Sequence, residues 1–379
     1  MRRLSDARMA APESKRPPRL VAKFALALAA TVSVLLLAEL SLRLLGMPGP
    51  PQFSQGTTYL GIRLRVPEEP LPGLTDPGQP DFRGRLYRYA PHSVWASRYP
   101  SDPRSYFNGD NIIEYSMNNY GFRGPDFQLT KRRPRIACIG DSLTLGEGVR
   151  WEHTFPALLE KRLSASSSQV EVMNFGVNGY ELLHERALLE QVVSAFSPDF
   201  VVWQFYPNDI AVFDVEELSV EIRESENSWR LQSTPSHLVN WISRRLWAWR
   251  ATARMKAGML EIYARRWDEL SAEFARVQRL TERIGAGLLV VVFPDLDLLS
   301  RGDYALHPIH TRLAELFDDQ GIRHIDLTGL FAEHGPERLR VHPMDWHPNE
   351  IAHRLAADAL IAELADHPDL SEPRQQPSH

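Results

Sequence analysis

The chain has 379 residues, 43% hydrophobic and 24% charged, with a formal net charge of −5. This is ordinary globular composition, and the charge balance offers no global basic field for nucleic acid. The lone cysteine, Cys138, excludes an intramolecular disulfide and a CxxC metal site. It stands inside an apolar run, where it reads as a small core residue.

The amino-terminal residues 1–23 carry Arg2, Arg3, Arg8, Lys15, Arg16, Arg19 and Lys23 against Asp6 and Glu13. An uncharged run follows, Phe24 to Ala38, "FALALAATVSVLLLA". With Leu20–Ala22 before it and "ELSLRLLG" after it, the apolar segment reaches about 20–25 residues, enough to cross a bilayer. Residues 24–46 are therefore read as one transmembrane anchor behind a basic cytoplasmic tail, with Glu39 and Arg43 in reach of the far interface. A cleaved secretory signal and a buried soluble helix are the rival readings. The long basic leader and the lack of a clean small-x-small cleavage site speak against the signal. The basic flank places the amino terminus inside and everything beyond residue 46 outside the cytoplasm, in the periplasm of an envelope.

Residues 47–80 are rich in proline and glycine and read as a linker or irregular wrap. Residues 81–134 are mixed and aromatic, with a turn expected at Asn119-Tyr-Gly121. Together, 47–134 form a linker and amino-terminal extension.

From residue 135 short apolar runs alternate with longer helical patterns. The strands fall at 135–139, 169–173, 200–205, 287–293 and 322–326. The helices fall at 154–163, 180–195, 260–284, 308–320 and 349–365, and Thr154 with Pro156 marks one helix start. Continuous apolar strands separated by helices predict a five-stranded parallel sheet covered on both faces, a flavodoxin-like three-layer α/β/α sandwich. This domain spans 135–366, and 367–379 is a flexible tail. An insertion at about 214–268 interrupts it: 214–226 are acidic, and 237–256 place Trp241, Trp247 and Trp249 among Arg244, Arg245, Arg250 and Arg254. That segment reads as an amphipathic helix packed on the domain, or as a lid or a helix against the membrane surface.

Ligands of such sheets bind beyond the carboxyl ends of the strands. There the first strand ends in Gly140-Asp141-Ser142, which offers a hydroxyl. A base for it is found in "DWHPN": Asp345 lies two residues before His347, and Pro348 biases His347 toward extended geometry, where i and i+2 project to one side. A carboxylate on one ring nitrogen leaves the other to take a serine proton. Candidate oxyanion donors come from "NFGVNGY", after the second strand, and "YPND", after the third.

The order of these blocks, "GDSLT", "NFGVNGY", "YPND" and "DWHPN", resembles the SGNH, or GDSL-type, hydrolase superfamily over about 135–365. The upstream "NNYGFRGPDFQLTKRRPRIACIGDSLTLGEGV" resembles its membrane-anchored bacterial members. The resemblance implies Ser142 as nucleophile, His347 as base and Asp345 as orienting acid. It implies an oxyanion hole from the Ser142 and Gly179 N–H groups and the Asn208 side chain. Gly176 and His342 are the alternatives to Gly179 and His347. Two departures stand out. Tyr206 occupies the usual glycine of the third block, where a side chain narrows or covers one edge of the site. One residue, Trp346, separates Asp345 from His347 in place of the more frequent two.

The expectation is a membrane-anchored serine esterase acting on an acyl ester of an envelope glycan or lipid, without metal or organic cofactor. An O-acyltransferase acting on envelope polysaccharide and a non-catalytic envelope scaffold of the same fold are the alternatives.

Overall fold

The computed structural model describes residues 19–44, 58–60, 64–65, 86–164, 169–213, 236–300, 302–343 and 345–364. Most of the basic tail, the proline-rich stretch 66–80, the acidic residues 214–226 and the tail 367–379 lie outside them. So do the side chains of Trp247, Trp249 and the arginines between 244 and 254. The chain divides into two compact units, Met1–Gln52 with Arg223–Arg250, and Phe53–Ile222 with Ala251–His379.

In the first unit, α1 spans Arg19–Leu44. Its stretch Val21–Leu44 is long and apolar enough to cross a membrane, and Phe24, Leu28, Val34 and Leu37 stand exposed. One such helix near an amino terminus fits a membrane span or a signal sequence. Glu39 pairs with Arg43 at 2.7 Å and also accepts from Ser236 Oγ (2.9 Å), His237 N (3.0 Å) and Leu238 N (2.7 Å). Those groups open the helix His237–Arg283, whose first N–H groups have no partner within the helix. Glu39 is thus a helix cap.

In the second unit, short strands precede the parallel sheet: β1 Thr58–Leu60, β2 Leu64–Arg65, β3 Arg88–Tyr89, β4 Val94–Arg98 and β5 Ile112–Ser116. They pair antiparallel as β1-β4-β5 and β2-β3. Aromatic stacking holds them, with the Trp95 ring between Tyr89 and Tyr115 at 5.4 and 3.9 Å. The expected turn is present: Gly121 takes a φ of +79°, and a Cβ there would strike Tyr89 O at 2.0 Å. Phe122 and Phe127 then pack on Phe175 and Phe196, so residues 86–134 share the core of the parallel sheet.

That sheet is β6 Arg135–Gly140, β7 Glu171–Gly176, β8 Phe200–Phe205, β9 Gly287–Val292 and β10 Arg323–Asp326. All pairs are parallel and the order is β10-β9-β8-β6-β7. This is the flavodoxin-like order, whose switch point lies beside β6. The helices are α2 Ser142–Leu145, α3 Phe155–Leu163, α4 Leu182–Gln191, α5 His237–Arg283, α6 Leu296–Leu299, α7 His307–Gln320, α8 Thr328–His334 and α9 Glu350–Leu364. Phe274 of α5 packs on Phe205 and on Phe317 of α7, while Phe155 of α3 packs on Phe293 and on His353 of α9. Both faces are therefore covered, as continuous apolar strands require. A hairpin of β11 Arg340–His342 and β12 Asp345–Pro348 leads into α9.

One expected boundary is absent. The segment 237–256 and the helix at 260–284 are one continuous α5, because no glycine or proline interrupts 237–256 and only Gly258 falls before the apolar pattern of Met259, Ile262, Tyr263, Leu270, Phe274 and Val277 begins. Residue 268 is thus mid-helix.

Candidate active site

The site is built at the carboxyl end of β6, beside the switch point. Gly140 is glycine because a Cβ there would meet Thr144 Oγ1 at 2.2 Å and Gln204 Oε1 at 2.3 Å. Gln204, on β8, accepts from Asp141 N (3.2 Å) and Thr144 Oγ1 (2.9 Å), which clamps the turn. Asp141 caps α2 by accepting from Leu143 N at 2.8 Å. Burial pushes its carboxyl up to about 6, against the pull of that bond and of His347. Ser142, the first residue of α2, is 9% exposed.

Ser142 Oγ lies 2.9 Å from His347 Nε2, and His347 Nδ1 lies 2.6 Å from Asp345 Oδ1. The extended strand β12 puts Asp345 and His347 on one side, as the Asp-x-His-Pro spacing predicts. Asn349 anchors the strand: it caps α9 through Ile351 N (2.9 Å) and donates to Arg338 O (2.8 Å) and Arg340 O (3.0 Å). The other Asp345 oxygen accepts from Tyr99 OH at 3.1 Å. Burial alone raises Asp345, but His347 and these hydrogen bonds prevail and hold it below the usual range. For His347 burial favours the neutral ring, yet the charges of Asp345, Glu147 and Asp141 outweigh it and raise the group to about 10. With Asp345 on Nδ1, Nε2 is the nitrogen presented to the serine. A carboxylate–imidazole–hydroxyl relay of this shape can take the serine proton as the hydroxyl attacks a carbonyl.

Two further loops end on the same side of the sheet. Gly179, after β7, is exposed with a φ of +72°. Tyr87 donates its hydroxyl to Asn178 O and so holds that loop. Gly176 is buried, its N–H is spent on Asn174 Oδ1 (2.8 Å), and a Cβ there would strike Leu145 N at 2.1 Å. Its glycine serves packing under the nucleophile turn. Asn208 is exposed in the 3-10 turn Pro207–Phe213. Asp209 shapes that turn through Tyr206 N (2.6 Å), and Tyr263 of α5 donates to Pro207 O (2.9 Å). The Tyr206 hydroxyl donates to Asp295 Oδ2 at 2.9 Å, so this side chain ties the β8 loop to the β9 loop. His342 pairs with Ser101 Oγ at 3.0 Å and is 4% exposed.

The motif blocks do not contain several residues that support the site. Arg123 is fully buried and donates to Leu145 O (2.9 Å), Gly146 O (2.6 Å) and Val149 O (2.6 Å), bracing the loop after Ser142. Tyr115 OH accepts from Gly148 N at 2.7 Å in the same loop. Tyr99, Tyr115 and Arg123 all come from the extension. A buried arginine and two tyrosines upstream of the GDS turn were the available signal, but nothing in their spacing points to the groups they hold.

The chain matches the GDSL-like Lipase/Acylhydrolase family over residues 138–355. It belongs to that family. It is thus an esterase-type hydrolase of the GDSL class, on the five-stranded parallel sheet the sequence predicts. No curated protein matches the chain. Among solved structures, Axe2, an acetylxylan esterase from Geobacillus stearothermophilus, is 16% identical with a TM-score of 0.42, covering 65% of this chain and 100% of its own. TesA is 14% identical with a TM-score of 0.39, covering 61% and 98%. LAE5, an alpha/beta hydrolase from the metagenome of Lake Arreo, Spain, is 18% identical with a TM-score of 0.39, covering 62% and 97%. Tyr99, Tyr115 and Arg123 lie upstream of the segment that matches the GDSL-like family.

Beneath the site lie further buried acids. Burial, with the charge of Asp141 added, holds Glu185 well above the carboxylate range, and Trp203 opposes the shift only in part. Glu185 therefore holds its proton to higher pH in the fold than in the unfolded chain, where it ionises above about pH 4.3. The native state then binds more protons, so this group subtracts stability as pH rises. Glu185→Gln is expected to raise the melting temperature, with a larger gain at pH 8 than at pH 5. Equal gains at the two pH values in thermal melts would sink this account.

Proposed function

We propose that this GDSL-like hydrolase cleaves acyl esters through a covalent acyl-serine at Ser142. The relay Asp345–His347–Ser142, closed at 2.6 and 2.9 Å, carries the proposal. His347 takes the Ser142 proton as Oγ attacks the ester carbonyl, and Asp345 orients the ring and steadies the imidazolium. The Ser142 and Gly179 N–H groups and the Asn208 side chain receive the charge that develops on the carbonyl oxygen. The imidazolium returns its proton to the departing alkoxide, leaving the acyl group on Ser142. Water, activated by the same ring, then releases the acid.

The substrate class follows from the anchor reading. With α1 across the membrane and its basic flank inside, the hydrolase faces the envelope, where acylated glycans and lipids are the esters within reach. The exposed Val239, Trp241 and Ile242 at the start of α5 suit the interface of a bilayer. A glycan hydroxyl in place of water would turn the same acyl-enzyme into an O-acyltransferase.

The test is a stopped-flow assay of the full chain in detergent with p-nitrophenyl acetate, with mass spectrometry of the quenched enzyme. A burst of p-nitrophenol with an acetyl group on the Ser142 peptide is expected. No acetyl adduct under turnover overturns the acyl-enzyme reading, and loss of the adduct on adding an acetyl-free glycan that becomes acetylated favours transfer. Asn208→Ala is expected to lower kcat by about 10²–10³-fold with little change in KM, as for loss of one oxyanion donor. A change confined to KM would assign Asn208 to ground-state binding.

A further inference from the structure

Glu147 is a buried carboxylate that the steps above do not use. It lies in the loop after α2, is 2% exposed, and its backbone N–H bonds Ser142 O at 3.0 Å. Its Oε2 is 3.8 Å from His347 Nε2, on the side of the ring away from Asp345. The same oxygen accepts from Asn178 Nδ2 at 2.8 Å. Asn178 directly precedes Gly179. One buried charge therefore meets both the nitrogen that receives the serine proton and the loop that carries an oxyanion donor. A desolvated carboxylate is costly unless a positive or donating group answers it, and here Asn178 and the protonated ring do so.

We propose that Glu147 is a positioning residue of this hydrolase, one that stabilises the imidazolium of His347 from its Nε2 side and, through Asn178, holds the Gly179 loop in place. The inference rests on the roles given above to Ser142 and His347. The groups acting on the ring are Asp345 at Nδ1, Glu147 near Nε2 and Asp141 from the nucleophile turn. On α9, His353 is buried and kept neutral, and behind Asp345 the Tyr99 hydroxyl is an uncharged phenol. Among the described residues, the charged groups that act most on the ring are all carboxylates. The consequence for catalysis has a definite sign. A ring already protonated at Nε2 cannot accept the serine proton, so kcat/KM climbs with pH until the ring is neutral. Each carboxylate beside the ring moves that climb to higher pH, and once the ring is neutral the same charge favours proton transfer onto it.

The test compares wild type, Glu147→Gln and Asn178→Ala as full chains in detergent. kcat/KM for p-nitrophenyl acetate is followed across the neutral and alkaline range, with Ser142→Ala as the blank at each pH. Glu147→Gln is expected to shift the rising limb down by about one pH unit or more and to lower the plateau. Asn178→Ala is expected to lower the plateau about tenfold and leave the limb in place. The His347 ring is also titrated by NMR in the Ser142→Ala and Ser142→Ala/Glu147→Gln proteins, which reads the same shift where turnover is too slow. An unmoved ring titration in the Gln variant overturns the proposal for Glu147 while leaving Ser142 and His347 intact. Wild-type turnover in Ser142→Ala overturns the site itself.

Discussion

Ser142→Ala and His347→Ala are each expected to lower kcat for a p-nitrophenyl ester by on the order of 10⁴-fold or more, and the double variant to fall little further. The lack of additivity is the informative part. Serine and histidine act as one unit, so removing either hydroxyl or base removes the attack, and the second deletion has nothing left to take away. The residual rate would come from the oxyanion donors and from binding. The variants should fold: Ser142 Oγ bonds His347 alone among the described contacts, and the turn is held by Gln204, Thr144 and Asp141. Steady-state kinetics with thermal melts check this. Two independent, multiplying losses would mean that the relay is not the engine of the reaction.

Asp345→Asn is expected to cost on the order of 10⁴-fold in kcat with little effect on KM. An amide in this place can donate to Nδ1, which moves the ring proton to Nε2 and turns the lone pair away from Ser142. The ring also loses the nearest of the charges that raise it, so the rising limb of the pH profile should move down as well as the rate. Tyr99 can still donate to the carbonyl oxygen of the introduced amide, but His347 N, which donates to Asp345 Oδ1 at 3.0 Å, loses that acceptor, so thermal melts accompany the kinetics. A drop of less than about tenfold would show that Trp346, as the one spacer residue, has left the acid in a minor role.

Much of the architecture was legible because it rests on local pattern. The runs at 135–139, 200–205 and 287–293 are continuous and β-branched or aromatic, and they appear as β6, β8 and β9. The turn at Gly121 and the cap at Thr154 depend on single residues with narrow conformational roles. The strand expected at 169–173 lies at Glu171–Gly176, because "NFG" continues β7 under the nucleophile turn, a tertiary fit that alternation does not report. The boundary expected between 237–256 and 260–284 fails because neither stretch carries a strong stop signal, so the backbone runs on as one helix, His237–Arg283.

The sequence by itself determined the chemistry on offer. Gly140-Asp141-Ser142 after an apolar strand, and Asp345-Trp-His347-Pro before a helix, restrict the backbone so that a hydroxyl, an imidazole and a carboxylate can meet, and their order identifies the family. What only the tertiary structure decided is what stands around them. Residues 86–134, where the sequence shows aromatics and one turn but no partner, send Tyr99 to Asp345, Tyr115 to Gly148 and Arg123 to the loop after Ser142. Tyr206 turns to Asp295, and Glu147 reaches the far side of His347. These contacts join groups far apart in the chain, or set a side chain's direction by its packing. No local periodicity encodes them, because they are properties of the assembled core.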